Sequence, residues 1–120
     1  MDRKRILLVD DDEDIRLLYK EELEEEGFDV DCVLSGEEAL KRLEEEALYH
    51  LILLDIRMSG MDGIAALRKI KERWEELPVI LCSCYHHYKQ EFGTWASDGY
   101  VVKSSDLTEL KEQIKMLLEW

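Results

Sequence analysis

Short apolar runs alternate along this chain with stretches in which apolar residues recur every third or fourth position, and the two patterns predict strands and helices in turn. Residues 5–10 read as a buried strand that ends in a block of acids, Asp10, Asp11, Asp12, Glu13 and Asp14. Ile15, Leu18, Tyr19 and Leu23 then mark a helix that stops at Gly27, a residue suited to a helix C-terminus. Residues 29–34 alternate Val30, Cys32 and Leu34 with Asp29, Asp31 and Val33, which fits a half-polar strand at a sheet edge. Ser35 and Glu38 have the spacing of a capping box ahead of a second helix carried by Ala39, Leu40, Leu43 and Ala47.

The third strand is an unbroken aliphatic run, Leu51 to Leu54, of the kind buried on both faces of a parallel sheet, and it stops at Asp55. Residues 59–63 are turn chemistry with two glycines, and Asp62 is placed to cap a helix that begins near Ile64 and continues through Leu67, Ile70 and Trp74. Pro78, the only proline, opens a fourth strand through Val79, Ile80, Leu81, Cys82, Ser83 and Cys84. Residues 85–98, with two histidines and Gly93, predict a short or broken helix. A fifth strand follows at 99–103. Asp106 and Glu109 form a second capping box before the cleanest amphipathic helix, marked by Leu107, Leu110, Ile114, Leu117 and Leu118.

Five strands alternating with five helices through short connections predict an α/β fold with a doubly wound, five-stranded parallel sheet. The flavodoxin-like order 2-1-3-4-5 gives the first strand a neighbour on each side and puts the half-polar second strand at the edge. At 120 residues and 46% hydrophobic, residues 1–120 are expected to form a single domain. The formal net charge of −13 argues against direct binding to nucleic acid or an anionic membrane and favours divalent cations and basic partner surfaces. Three cysteines without framework spacing suit a reducing compartment, and the charged N-terminus with its short apolar run gives neither a signal peptide nor a membrane span. A cytoplasmic protein is expected.

In the predicted order the first and third strands are neighbours, roughly 4.8 Å apart, so Asp10, Asp11 and Asp55 converge at the carboxyl end of the sheet, the edge at which open α/β sheets bind ligands. Three carboxylates about 5 Å apart repel by roughly 3 kcal/mol per pair at an effective dielectric of about 20, so the cluster calls for a cation. Mg²⁺ (or Mn²⁺) accepts such oxygen ligands. Lys103 and Ser83 leave the ends of the fifth and fourth strands toward the same pocket. A carboxylate nucleophile, a cation, an ammonium and a hydroxyl together can stabilise a transferring phosphoryl group.

Taken singly these residues have plainer readings. Asp10 and Asp11 favour a helix dipole, Ser83 is a strand serine, Lys103 a surface lysine and Tyr100 a core aromatic. Cys82, Cys84, His86 and His87 resemble a zinc set only superficially, because cysteines alternating along a strand are usually buried small hydrophobes. Trp95 and Trp120 fit partner anchors and half-buried packing equally well.

In combination the motifs are specific. Ile6-Leu-Leu-Val-Asp-Asp, Leu53-Leu-Asp-Ile-Arg-Met-Ser-Gly-Met-Asp-Gly, Pro78-Val-Ile-Leu-Cys-Ser-Cys and Gly99-Tyr-Val-Val-Lys resemble, in order, the acidic pair, the phosphoacceptor loop, the switch-hydroxyl strand and the lysine strand of bacterial response-regulator receiver domains. Such a domain is a standard example of the 2-1-3-4-5 order, so the resemblance implies the same topology. It implies that Asp55 is the phosphoacceptor, that Asp11 ligates the metal directly, that Asp10 helps hold metal-bound water, and that the Arg57 backbone carbonyl completes the protein ligands. Ser83 and Lys103 would contact the phosphoryl oxygens, and Tyr100 would turn inward as Ser83 is drawn to the phosphate. Arg57 and Tyr85, two residues beyond Asp55 and Ser83, would overhang the phosphoryl group and set its lifetime.

The implied partners are a sensor histidine kinase or phosphotransfer protein and a downstream protein or output domain, with a homodimer left open. The sequence departs from the family pattern at Ser59 and Ser104, each standing where a proline is usual, and in the short segment between Ser83 and Tyr100. A cis bond before serine costs roughly 3–4 kcal/mol, so a trans Lys103–Ser104 bond is expected. The alternative is a pseudo-receiver, a phosphorylation-independent interaction module, against which the full set of site residues argues. A flavodoxin would need a hydroxyl- and glycine-rich phosphate loop where this chain has Asp10 to Asp14. A haloacid-dehalogenase-type phosphatase using Asp10 and Asp12 would need a longer chain.

Overall fold

The computed structural model describes residues 3–45, 48–56, 63–83 and 97–119. Their order is β1 (Arg5–Val9), α1 (Glu13–Glu25), β2 (Asp29–Val33), α2 (Gly36–Glu45), β3 (Leu51–Asp55), α3 (Gly63–Arg73), β4 (Val79–Ser83), β5 (Gly99–Val102) and α4 (Thr108–Leu118). All strand pairs are parallel, in the order β2-β1-β3-β4-β5. The expected doubly wound topology is therefore present. The short or broken helix expected over residues 85–98 falls, up to residue 96, outside the described residues, as do Asp62, Trp95 and Trp120. No described helix is long and apolar enough to cross a membrane.

Alternation along each strand splits the core into two layers. Leu7, Val9, Ile52, Leu54, Val79, Leu81 and Tyr100 pack with α2 and α3, whereas Ile6, Leu8, Leu51, Leu53, Ile80, Cys82 and Val101 pack with α1 and α4. β3 and β4 are buried at every position, which is why they read as unbroken apolar runs, and β2 keeps its exposed and half-buried residues because it has one neighbour only.

The helix ends follow from local chemistry. α1 is capped by Asp12, whose side chain accepts the Asp14 and Ile15 N–H groups. It ends in a Schellman motif: Phe28 N–H bonds Leu23 O at 3.2 Å and Gly27 N–H bonds Glu24 O at 3.1 Å, with Gly27 at φ 103°. Ser35 Oγ accepts the Glu38 N–H as expected, but the Glu38 carboxylate reaches past Ser35 to the Leu34 N–H at 2.6 Å. The Asp106–Glu109 box does not form. Leu107 sinks into the core and the helix starts after it, so Asp106 accepts the Thr108 N–H and hydroxyl instead, while Glu109 accepts from Gln113.

A polar cluster ties the edge strand to the centre. Asp31 Oδ2 accepts from Arg5 Nη2 at 2.8 Å and from the Tyr49 hydroxyl at 2.6 Å, and Arg5 also lies over the Tyr49 ring. Burial alone would raise the Asp31 carboxyl, but the Tyr49 and Arg5 hydrogen bonds and the charges of Arg5 and Arg42 outweigh it and hold it below its ordinary value. A depressed carboxyl contributes stability above its unfolded pKa and loses it as the pH falls through the folded one. Tyr49→Phe is therefore expected to cost about 1 kcal/mol at neutral pH. Thermal unfolding should show the deficit shrinking as the pH drops below the carboxylate range, and a deficit that is constant down to acid pH would refute the role given to Asp31.

Candidate functional site

β1 and β3 run side by side with Val9 opposite Leu54, so the residues that follow them meet at the carboxyl end of the sheet. Asp10 continues the parity of Ile6 and Leu8, and Asp55 that of Leu51 and Leu53, which assigns both to the α1/α4 face. Lys103 has the parity of Val101 and joins them there. Asp10 and Asp55 are buried, and Asp11 is exposed at the rim. One carboxylate oxygen from each of Asp10, Asp11 and Asp55 lies within 4.8 Å of the others.

Lys103 is the resident countercharge. Its Nζ is 2.7 Å from Asp10 Oδ2 and 3.1 Å from Asp55 Oδ1. Burial alone would lower the ammonium, but the Asp10 hydrogen bond and the charges of Asp55 and Asp10 overcome it and hold the lysine above its ordinary pKa. The sequence-based expectation that a divalent cation must neutralise the trianion is thus incomplete, since one positive charge already sits between two of the carboxylates. The third, Asp11, has the water-facing position through which an ion would arrive.

The surrounding backbone holds these groups in place. Asp10 Oδ1 accepts the Asp12 N–H at 2.9 Å, and the Asp10 carbonyl accepts Arg16 Nη1 at 2.8 Å. Lys103 N–H bonds Ser83 O at 2.6 Å, extending the β4–β5 ladder past the end of β5. The Lys103–Ser104 bond is trans, as expected. Gly63 N–H bonds Ile56 O at 2.8 Å, and an added Cβ there would overlap the Asp55 carbonyl oxygen and stand 2.6 Å from Ile56 Cα. The roles of Arg16 and Gly63 escaped the sequence reading. Gly63 was visible as turn chemistry, but its contact with β3 is a long-range fact.

Ser83 ends β4 and is buried at the same sheet edge, and its parity with Leu81 places it on the α2/α3 face. Tyr100 is buried among the α2/α3 residues, with its carbonyl accepting from Gln113 at 3.1 Å. Arg57 and Tyr85 lie outside the described residues. Cys82 is opposite Asp55 in register. Burial pushes its thiol up to about 12, with Asp55 and Asp10 adding to the effect and Lys103 opposing it, so it is a protonated, packed side chain. Cys84, His86 and His87 of the discounted zinc set lie outside the described residues, and the metal-capable group found among the described ones is the carboxylate cluster. Three hard oxygens fit Mg²⁺ or Mn²⁺ better than a thiolate-seeking metal.

The sequence profile of the response regulator receiver domain matches residues 6–115. The phosphate regulon transcriptional regulatory protein PhoB of Rhizobium meliloti is 36% identical over 118 residues, covering 95% of this chain and 52% of that protein. ResD of Bacillus subtilis is 37% identical over 119 residues, covering 95% and 48%. The chain spans about half the length of the curated relatives it matches. Among solved structures, response regulator protein TrrA from Thermotoga maritima in complex with Mg(2+)-BeF superposes with a TM-score of 0.92 at 46% identity, covering 96% of this chain and 99% of that one. TrrA in complex with the histidine kinase ThkA superposes with a TM-score of 0.90, covering 96% and 98% at the same 46% identity. On the profile match over residues 6–115 and the carboxylate cluster at the sheet's end, the chain belongs to the response regulator receiver domain family and is a receiver of two-component signalling.

Proposed function

We propose that the chain is one receiver domain that takes a phosphoryl group onto Asp55 from a phosphohistidine of a sensor kinase or phosphotransfer protein and signals by the resulting change of shape. What carries the reading is the convergence of Asp10, Asp11 and Asp55 within 4.8 Å around the Lys103 ammonium. The solved complex of TrrA with a histidine kinase supports that donor class. An Asp55 carboxylate oxygen attacks phosphorus, the phosphorus–nitrogen bond breaks, and the imidazole leaves with the electron pair and takes up a proton. Lys103 exchanges Asp10 for a phosphoryl oxygen, and the Ser83 hydroxyl donates to another, with Tyr100 following Ser83 inward.

Asp10, Asp11 and Asp55, with the Arg57 carbonyl, are the residues that would hold Mg²⁺ or Mn²⁺. When bound there, such an ion would supply positive charge, the electrostatic help on which phosphoryl transfer depends. Arg57 and Tyr85, two residues beyond Asp55 and Ser83 in the chain, would set the lifetime of the product by admitting or excluding water. The phosphorylated face then engages a downstream protein, an output domain or a second copy of the chain. Incubation with acetyl phosphate and Mg²⁺ is expected to add one phosphoryl mass to the wild type and none to Asp55→Asn. An unmodified wild type would favour a phosphorylation-independent interaction module, and modification of Asp55→Asn would move the acceptor elsewhere.

A further inference from the structure

Arg16 lies in the first turn of α1, half-buried, with its own N–H bonded to Asp12 O at 3.1 Å. Helical side chains lean toward the N-terminus, so the guanidinium runs back past the Asp12 cap to the end of β1, where Nη1 is 2.8 Å from the Asp10 carbonyl oxygen. The sheet explains why that oxygen needs a donor. The Asp10 N–H makes the last β1–β2 bond, to Val33 O at 3.2 Å, and in an extended strand the carbonyl of the same residue points to the same side. β2 stops at Val33, so Arg16 supplies the donor that a longer β2 would have carried.

The oxygen held in this way belongs to the peptide that joins Asp10 to Asp11, two of the three carboxylates in the cluster. The peptide plane turns only about ψ of Asp10 and φ of Asp11, and the same rotations decide where the Asp11 side chain starts. Asp10 is fixed independently, buried, with Oδ1 accepting the Asp12 N–H at 2.9 Å and Oδ2 2.7 Å from Lys103 Nζ. Asp11 is exposed, so core packing does little to place it and the peptide behind it does more.

Two effects of Arg16 on a cation oppose each other. Its positive charge repels the ion, whereas the fixed peptide spares the cost of ordering Asp11. Mg²⁺ and Ca²⁺ separate the two, because they carry the same charge but Mg²⁺ demands near-ideal octahedral geometry and Ca²⁺ accepts a flexible one.

We propose that Arg16 is a positioning residue for the cation site: by holding the Asp10–Asp11 peptide it fixes the two carboxylates relative to each other and so favours Mg²⁺ over Ca²⁺. The proposal rests on the reading that Asp10, Asp11 and Asp55 hold a divalent cation. Arg16 acts through the backbone and is not itself a ligand.

The test is calorimetric titration of wild type, Arg16→Met and Asp11→Ala with MgCl₂ and with CaCl₂. Arg16→Met is expected to bind Mg²⁺ about ten-fold more weakly, the lower end of what losing a group that holds a metal ligand costs, and Ca²⁺ less than about three-fold more weakly. The ratio of the two affinities is the decisive quantity, because partial unfolding of the variant would lower both by the same factor. Loss of the charge alone would tighten both ions equally. An unchanged ratio, with or without a lower melting temperature, overturns the role of Arg16, as does tighter Mg²⁺ binding by Arg16→Met. If Asp11→Ala binds Mg²⁺ as tightly as wild type, or if none of the three proteins binds it, the cation site falls and the proposal with it.

Discussion

Lys103→Met is expected to lower the unfolding free energy by about 3–5 kcal/mol in metal-free buffer at neutral pH, the usual cost of removing one partner from a buried ion pair. The Lys103, Asp10 and Asp55 side chains are all less than a tenth exposed, so solvent screens the remaining carboxylates poorly. Because the ammonium is held above its ordinary pKa, the pair is intact throughout the neutral range, and its contribution is lost only as the pH rises through that raised value. Removing the lysine also removes a competitor for Asp10 and Asp55, so the affinity for Mg²⁺ should rise. At about one hundred times its dissociation constant, Mg²⁺ should return about 2.7 kcal/mol. Urea denaturation with and without Mg²⁺ measures both terms. A loss below about 1 kcal/mol, the level of an exposed pair, or a loss that Mg²⁺ does not relieve, would show that Lys103 is not the cluster's countercharge.

Gly63→Ala should be the second large effect, and it acts through backbone. The new methyl would fall on the Asp55 carbonyl oxygen and against Ile56 Cα at 2.6 Å, so either the start of α3 or the end of β3 must shift. β3 is the middle strand, hydrogen-bonded on both sides and fully buried, and it yields poorly. Overpacking of this kind costs about 1–3 kcal/mol, and the cost here should lie at the upper end. The shift also moves Asp55, the proposed phosphoacceptor, so phosphorylation by acetyl phosphate should slow even where the variant is folded. A Gly63→Ala protein as stable and as readily phosphorylated as wild type would mean that α3 does not press on the Asp55 backbone.

The strands, four of the helices and the strand order were legible in the chain because each depends on a local period and on the alternation of short elements. The edge position of β2 followed from Asp29 and Asp31, since a strand with one neighbour need not bury both faces. The convergence of Asp10, Asp11 and Asp55 was equally legible, because parallel neighbours that end in acids must bring them to one edge. The partners of those acids were not. That Lys103 bridges Asp10 and Asp55 depends on the length and direction of a side chain leaving β5, which two strands, β3 and β4, separate from β1. The failure of the Asp106–Glu109 box has the same origin: burial of Leu107 decides where α4 begins, and burial is a property of the whole core. Tyr19 looked like one more apolar position on a helix face, and only the packed sheet reveals that its ring is fully buried among residues of β4, β5 and the loop before α4. Periodicity and charge order are written along the chain, whereas which charge meets which, and which polar atom is left over, depends on contacts between residues far apart in it.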